Sequence, residues 1–361
     1  MNIFKTVYKL SFNLVLILIF NVNSYAQESE SEKVPFSQRK VVSLEKAPSS
    51  TLSKISVRGN QFINEEGEVK IFRGLNSKDP YDLNLTGNWD KKYFAAMKSW
   101  NADLIRIPIH PRAWREAGMV SYLRLLDKGI QMADSLGMYV ILDWHSIGNL
   151  KSEVFFLPGY NTSLPETLNF WRIVADRYKN NNTVAFMEIY NEPTVFGGKL
   201  GTVQWSEWKK IMEEAITIIR ANGSTAIPLI AGFNWGYDLS EIAENPIEAE
   251  GIAYVSHPYP QKRPKPWEKS WEQDWGYVAD KYPVILTEIG FCGPDDEGAH
   301  IPVISEPDYV KVLTKYCDKK GISYTVWVFD KDWSPKLVKD FESFEPTWYG
   351  EYWRKAMVNR K

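Results

Sequence analysis

The chain has 361 residues, 44% of them hydrophobic, and its 43 Lys and Arg against 45 Asp and Glu leave a formal charge of −2. That is enough apolar content for one large core, and a balance without a basic cluster excludes the electrostatic footprint of a nucleic-acid or anionic-membrane partner. The only cysteines, Cys292 and Cys317, exclude a disulfide-stapled scaffold and are read either as one bridge or as two buried thiols.

In chain order, Lys5 and Lys9 precede an apolar stretch over 10–22 and the small-residue pattern Ser24-Tyr25-Ala26. This predicts an export signal over 1–26, cleaved near Ala26, and a secreted or periplasmic protein. The stretch is shorter than the roughly 20 apolar residues that span a bilayer, so no stable membrane insertion is expected after cleavage. Residues 27–52 are polar and charged with two prolines and no period, which predicts a spacer without a fold ahead of a catalytic domain over 53–361. From Ile55 apolar and polar residues alternate around Glu65-Glu66-Gly67, predicting an N-terminal β-hairpin that closes the bottom of the domain.

Eight short apolar runs then begin at Val69, Leu104, Tyr139, Val184, Ile227, Ile252, Pro283 and Ser323, with starts 25 to 45 residues apart. Amphipathic segments lie between them: Leu123, Leu126, Ile130 and Ala133 keep helical spacing, as do Trp208, Ile211, Ala215 and Ile218, with Gly137 and Gly223 where helix ends are expected. Strand then helix, eight times, predicts a single α/β domain of the (β/α)8 barrel class. No Gly-rich phosphate-binding turn follows the first run, which removes the support for a dinucleotide fold.

Polar and aromatic residues collect at the run ends: Arg73, Asn76, Arg106, His110, Asp143, His145, Asn191, Glu192, Asn234, Trp235, His257, Tyr259, Glu288, Trp327 and Asp330. On neighbouring parallel strands these would converge on the C-terminal rim, where such barrels do their chemistry. Glu192 and Glu288, each closing an apolar run, form a candidate carboxylate pair for glycosidic cleavage, with Arg106 the candidate cation beside the ionised member. For Glu192 the competing reading is a carboxylate at a helix start, since Pro193 comes directly after it. Among 15 Trp, sugar-stacking platforms are sought at Trp144, Trp235, Trp267, Trp271 and Trp275, and the proline-rich loop HPYPQKRPKPW is expected to shape the cleft.

Taken together, Asn-Glu-Pro at 191–193, Thr-Glu-Ile-Gly-Phe at 287–291, Arg106 in LIRIP, LDWH ending at His145, His-Pro-Tyr at 257–259 and Trp327 resemble glycoside hydrolase family 5, the cellulase-like group of clan A retaining glycosidases. The resemblance implies double displacement, with Glu192 as acid/base, Glu288 as nucleophile and carboxyl groups about 5 to 5.5 Å apart. It further implies that Arg106, His145, Asn191, His257, Tyr259 and Trp327 bind the substrate or hold the acids, with Trp327 as the stacking floor. No metal and no cofactor are called for. The expected activity is endo-β-glucanase action on a polysaccharide or oligosaccharide by a monomer, with β-mannanase or exo-acting β-glycosidase as alternatives within the family. A metal-dependent amidohydrolase and an inactive carbohydrate-binding barrel are the remote ones.

Overall fold

The computed structural model describes residues 44–194 and 200–360. The expected export signal and most of the spacer lie outside the described residues. Among the described residues the strands are β1 (Ser56–Arg58), β2 (Gln61–Ile63), β3 (Val69–Lys70), β4 (Arg73–Asn76), β5 (Leu104–Ile109), β6 (Tyr139–Trp144), β7 (Ile147–Asn149), β8 (Val154–Phe155), β9 (Val184–Glu188), β10 (Glu192–Pro193), β11 (Ile227–Ala231), β12 (Ala253–Val255), β13 (Val284–Ile289) and β14 (Ser323–Val326). β4, β5, β6, β9, β11, β12, β13 and β14 close in that order into a parallel barrel, so each of the eight apolar runs supplies one barrel strand. Helices cover the outer face and the barrel fills the inner one, which is why LIRIPI and VILTEI are buried throughout rather than alternating.

The helix Met119–Ser135 buries Leu123, Leu126, Ile130 and Ala133 as their spacing predicts, and Gly137 comes after it at φ 67° in the left-handed turn that ends a helix. In Trp205–Ala221 the buried stripe runs through Trp208, Met212, Ala215 and Ile219 instead of Ile211 and Ile218, which are only half-buried. Ile211, Ile216, Ile218 and Ile219 make more than half of that helix's circumference apolar, so spacing alone does not centre the stripe.

Two boundaries also move. The run from Val69 divides: Val69–Lys70 pairs with β2 in an antiparallel sheet, and the barrel strand starts at Arg73. The final residues of the stretch read as a spacer are anchored, since Ser50 Oγ and Thr51 N donate to Asp134 Oδ1 at 3.1 and 2.8 Å, and Asn181 Nδ2 donates to the Pro48 carbonyl at 2.7 Å. From Lys46 onward the chain forms one compact unit. No helix among the described residues is long and apolar enough to cross a membrane.

The hairpin closes the barrel's N-terminal end. Phe62 of β2 sets its ring 5.1 Å from Phe186 and 6.1 Å from Phe72, in a layer completed by Ile55, Leu104, Ile141, Ile227 and Ile285. Phe62→Ala is expected to cost about 3–5 kcal/mol of unfolding free energy, the range for truncating a buried aromatic. Urea denaturation checks it, and a loss under about 1 kcal/mol would mean that the plug contributes little to the core.

Candidate active site

Above the apolar layer the barrel interior turns polar. Arg106 of β5 has no exposed surface, and its guanidinium donates to Glu188 through Nε (2.6 Å) and Nη2 (3.0 Å), to Glu288 Oε1 through Nη1 (2.8 Å), to Asn191 Oδ1 (2.6 Å) and to Asn76 Oδ1 (3.0 Å). Asp143 Oδ2 lies 3.0 Å from Nη2 as well. Five side chains from four strand ends thus share one planar cation, which only a guanidinium with its fork of donors can serve.

Glu192 and Glu288 come together on this base. Glu192 does not start a helix: it lies in β10, whose Glu192 and Pro193 pair with Ile147 and Gly148 of β7, and Glu192 N donates to the Ser146 carbonyl at 3.1 Å. β7 pairs in turn with β8, and a Cβ on Gly148 would meet the Val154 carbonyl oxygen at 2.6 Å, so this small rim sheet requires glycine there. Glu288 reaches the interior by a different device. The pairing of β13 with β14 shifts register between Leu286 and Ile289, which lets the consecutive residues Thr287 and Glu288 both make interior contacts where strict alternation would send one outward. Carboxylate oxygens of Glu192 and Glu288 lie within 4.8 Å of each other. Tyr259 donates to Glu288 Oε2 at 2.9 Å, and His257 Nδ1 stands 2.9 Å from Glu192 Oε1 and 4.0 Å from Glu288 Oε2.

The buried charges bias one another. Burial opposes charge on Arg106, but Asp143, Glu188 and Glu288 outweigh it and raise its pKa. Burial lifts Glu288 above the ordinary carboxylate value, with His257 and Arg106 limiting the rise. The cation expected to keep this acid ionised is therefore in place but does not cancel the cost of burial. Glu188 is equally buried, yet Arg106 and His257 hold it below the usual value. Burial also works against His257, and Glu288, Glu188 and Glu192 around it push it up to about 9. His145 goes the other way, lowered well below its usual value by burial and by His110, Arg106 and His257, so it is neutral; its Nδ1 lies 2.7 Å from Asp143 Oδ2, which fixes the ring.

The cleft above these groups has a volume of about 780 Å³ and is lined by His110, His145, Tyr160, Glu192, Trp235, Tyr259, Lys262, Glu288, Trp327 and Trp333, among others. Trp327 stacks on His145 (5.3 Å, 8° between planes) and on Trp333 (5.9 Å, 16°), making a run of three nearly parallel rings. Opposite it, Asn234, Trp235 and Gly236 take three successive left-handed conformations, φ 58°, 56° and 67°. A Cβ on Gly236 would stand 3.0 Å from His257 Nδ1, so the turn lies flat against that ring. Lys262, from the proline-rich loop, donates to the Asn234 carbonyl at 2.9 Å with its amine 5.1 Å from the Trp235 ring centre.

Some expected members are elsewhere. Arg73 starts β4 and donates to the Phe72 and Ile322 carbonyls and to Asp318, away from the rim. Trp144, Trp267, Trp271 and Trp275 are core residues, leaving Trp235 alone of the five sought platforms on the cleft. Asp330 accepts from Trp333 N at 2.9 Å and pairs with Lys78, holding the Trp333 loop. Sequence reasoning missed Glu188, Tyr160 and Trp333. Glu188 carried a usable signal, an acid inside an apolar strand run; Tyr160 and Trp333 sit in loops without a period.

Among the described residues, Glu192, His257 and Glu288 also form a cluster whose spacing could suit a metal ion. The chemistry of the set does not fit one: both His257 nitrogens are engaged, Nδ1 with Glu192 and Nε2 with Thr287 Oγ1 at 2.9 Å, so the ring has no lone pair to offer.

The family model for cellulase, glycosyl hydrolase family 5, matches residues 63–332. The crystal structure of β-glucanase SdGluc5_26A from Saccharophagus degradans, in complex with cellotetraose, is similar at 45% identity and TM-score 0.85, covering 88% of this chain and 98% of that one. An endoglucanase from Paenibacillus polymyxa is 24% identical over 326 residues, 75% of this chain and 78% of its own length. Endoglucanase E-5 from Thermobifida fusca is 26% identical over 298 residues, and the match spans 57% of that longer protein.

A His whose folded pKa is raised contributes stability that is fully present below its unfolded value of about 6.5 and is lost as pH climbs through the folded value. For His257 that loss falls between about 6.5 and about 9. NMR titration of the imidazole should find the upper value; a midpoint near 6.5 would mean that the three glutamates do not act on it.

Proposed function

The chain belongs to glycosyl hydrolase family 5, and on that premise we propose that it is an exported endo-β-glucanase working by retaining double displacement. The observation that carries this reading is the pair Glu192 and Glu288, with oxygens within 4.8 Å on one rim and dissimilar surroundings. That separation agrees with the roughly 5–5.5 Å of retaining glycosidases and falls short of the roughly 6.5–9.5 Å that leaves room for an inverting water.

Glu288 is the nucleophile. Arg106 and Tyr259 each hold one of its oxygens, leaving the remaining lone pairs to attack the anomeric carbon. Tyr259 stays a proton donor because burial and the charges of Glu288 and Glu192 raise its pKa well above the ordinary value. Glu192 gives its proton to the departing glycosidic oxygen, then takes a proton from the water that releases the sugar from Glu288. Asn191 offers Nδ2, a buried donor without a partner among the described residues, to the sugar's 2-hydroxyl, and its Oδ1 is fixed by Arg106. Trp327 supplies the stacking face for the ring at the point of cleavage, with neutral His145 beside it.

The glucan assignment leans on the β-glucanase at 45% identity, whose structure holds cellotetraose. The apolar leader with its polar spacer supports export. Reducing-sugar release across β-glucans, mannans and xylans tests the whole reading. We expect β-glucan to lead the panel and Glu288→Gln to lower turnover by roughly 10³-fold or more while keeping affinity for cellotetraose. Near-normal turnover in that variant would overturn the nucleophile assignment, and a preference for mannan would overturn the glucan one.

A further inference from the structure

Glu188 has no surface on the cleft, yet it is joined to both of the acids that line it. Its Oε2 accepts from Arg106 Nε at 2.6 Å, and its Oε1 accepts from Arg106 Nη2 at 3.0 Å and from the Thr287 hydroxyl at 2.9 Å. A hydroxyl has one proton to give, and Thr287 spends it on Glu188. Its oxygen therefore accepts from His257 Nε2, 2.9 Å away, which places a proton on Nε2. The other ring nitrogen, Nδ1, faces Glu192 Oε1 at 2.9 Å, and a single proton is shared between those two atoms.

We propose that Glu188 is a positioning residue: through Thr287 it fixes the protonation of His257 and so the supply of protons at Glu192, while through Arg106 it sets the cation beside Glu288. The inference rests on the reading of Glu192 as acid/base and Glu288 as nucleophile. A residue that merely neutralised Arg106 would need only the two guanidinium contacts. Glu188 also takes the Thr287 hydroxyl, and its Oε1 lies 3.7 Å from His257 Nε2, in reach of the imidazolium's charge. The register shift in β13 turns Thr287 inward beside Glu288, so the same irregularity delivers the nucleophile and the relay to the acid.

The charged and titratable groups acting on His257 are Glu188 and Glu192 from the fourth barrel strand and its extension, Glu288 from β13, and Asp143 and His145 from the end of β6, while Arg106, Tyr259 and Lys262 act on those glutamates. His257 Nδ1 and Glu192 Oε1 share one hydrogen bond at 2.9 Å, and a negative charge near that pair favours the proton it holds. Removing that charge, or cutting the path to it, makes the pair release protons at lower pH. The alkaline limb of the pH profile, where the acid loses its proton, must then move down.

Thr287→Val deletes the hydroxyl without touching Arg106 and leaves His257 free to carry its proton on Nδ1 instead. Initial rates on cellotetraose across pH should show the alkaline limb of kcat/KM lowered by about one unit, with KM within about twofold of the parent. Thr287→Ser, which restores the hydroxyl, should return the limb to its original position, and Glu188→Gln should lower it and cut kcat by about 10- to 100-fold. NMR titration of His257 reads the same change without substrate: its midpoint falls in Thr287→Val and recovers in Thr287→Ser. An unmoved limb and an unmoved His257 midpoint in Thr287→Val would reduce Glu188 to a counter-ion. If Glu188→Gln does not fold, the two Thr287 variants decide alone. An unmutated enzyme inactive on β-glucan contradicts the functional reading, while the His257 titration still decides the relay.

Discussion

The upper half of the barrel depends on one guanidinium held away from water. Arg106 has three carboxylates within 3.0 Å and two amide oxygens on its donors, and these five partners come from four strand ends. A lone buried charge would cost several kcal/mol, and so would three unpaired buried carboxylates; together they are tolerable only while the geometry satisfies every donor. That requirement makes the polar layer specific. No two of these acids can shift without leaving the cation or each other unpaired, so the aim of Glu288 and Asn191 is set by the same condition that lets the layer exist. The apolar floor below, with Phe186 in edge-to-face contact with both Phe62 and Phe72, keeps water from relieving it from beneath.

From that base the two glutamates diverge. Glu288 sits lower, gripped by Arg106 and Tyr259; Glu192 stands on a short rim strand and meets His257 instead. Two carboxyls this close cannot both ionise freely, and each meets different partners. His257 links them to the layer below, because one ring spans from Glu192 to Thr287 and lies flat against Gly236. The aromatic wall of Trp327 and Trp333 and the turn carrying Trp235 then give a sugar chain two faces to lie between.

Much of this was legible in the sequence, for a physical reason. Strands buried on both faces must be apolar, so LIRIPI or VAFME announces itself, and any charged residue within or just after such a run has to be explained by a partner. Arg106, Asn191, Glu192, His257 and Glu288 were found in this way. Glu188 obeys the same logic, as the one acid inside VAFME, but a single acid within a strand run shows its partner only once the barrel is closed. Arg73 went the other way: it begins its strand and points to the closed end, a distinction of position along four residues that a run of letters does not display. The tryptophans were least legible, since a core indole and a platform indole carry the same residue type; Trp267 and Trp271 stack on each other in the core at 3° between planes, while Trp333 lines the cleft from a loop.

Under the proposed double displacement Glu288 forms a covalent bond to the sugar and Glu192 does not. The most direct measurement is mass spectrometry after incubation with a 2-deoxy-2-fluoro cellobioside bearing an activated leaving group, which slows the second displacement and lets a glycosyl-enzyme accumulate. One added disaccharide is expected, mapped by peptide digestion to Glu288 and absent in Glu288→Gln. An adduct on Glu192, or rapid turnover to inverted product with no adduct on either residue, would contradict it.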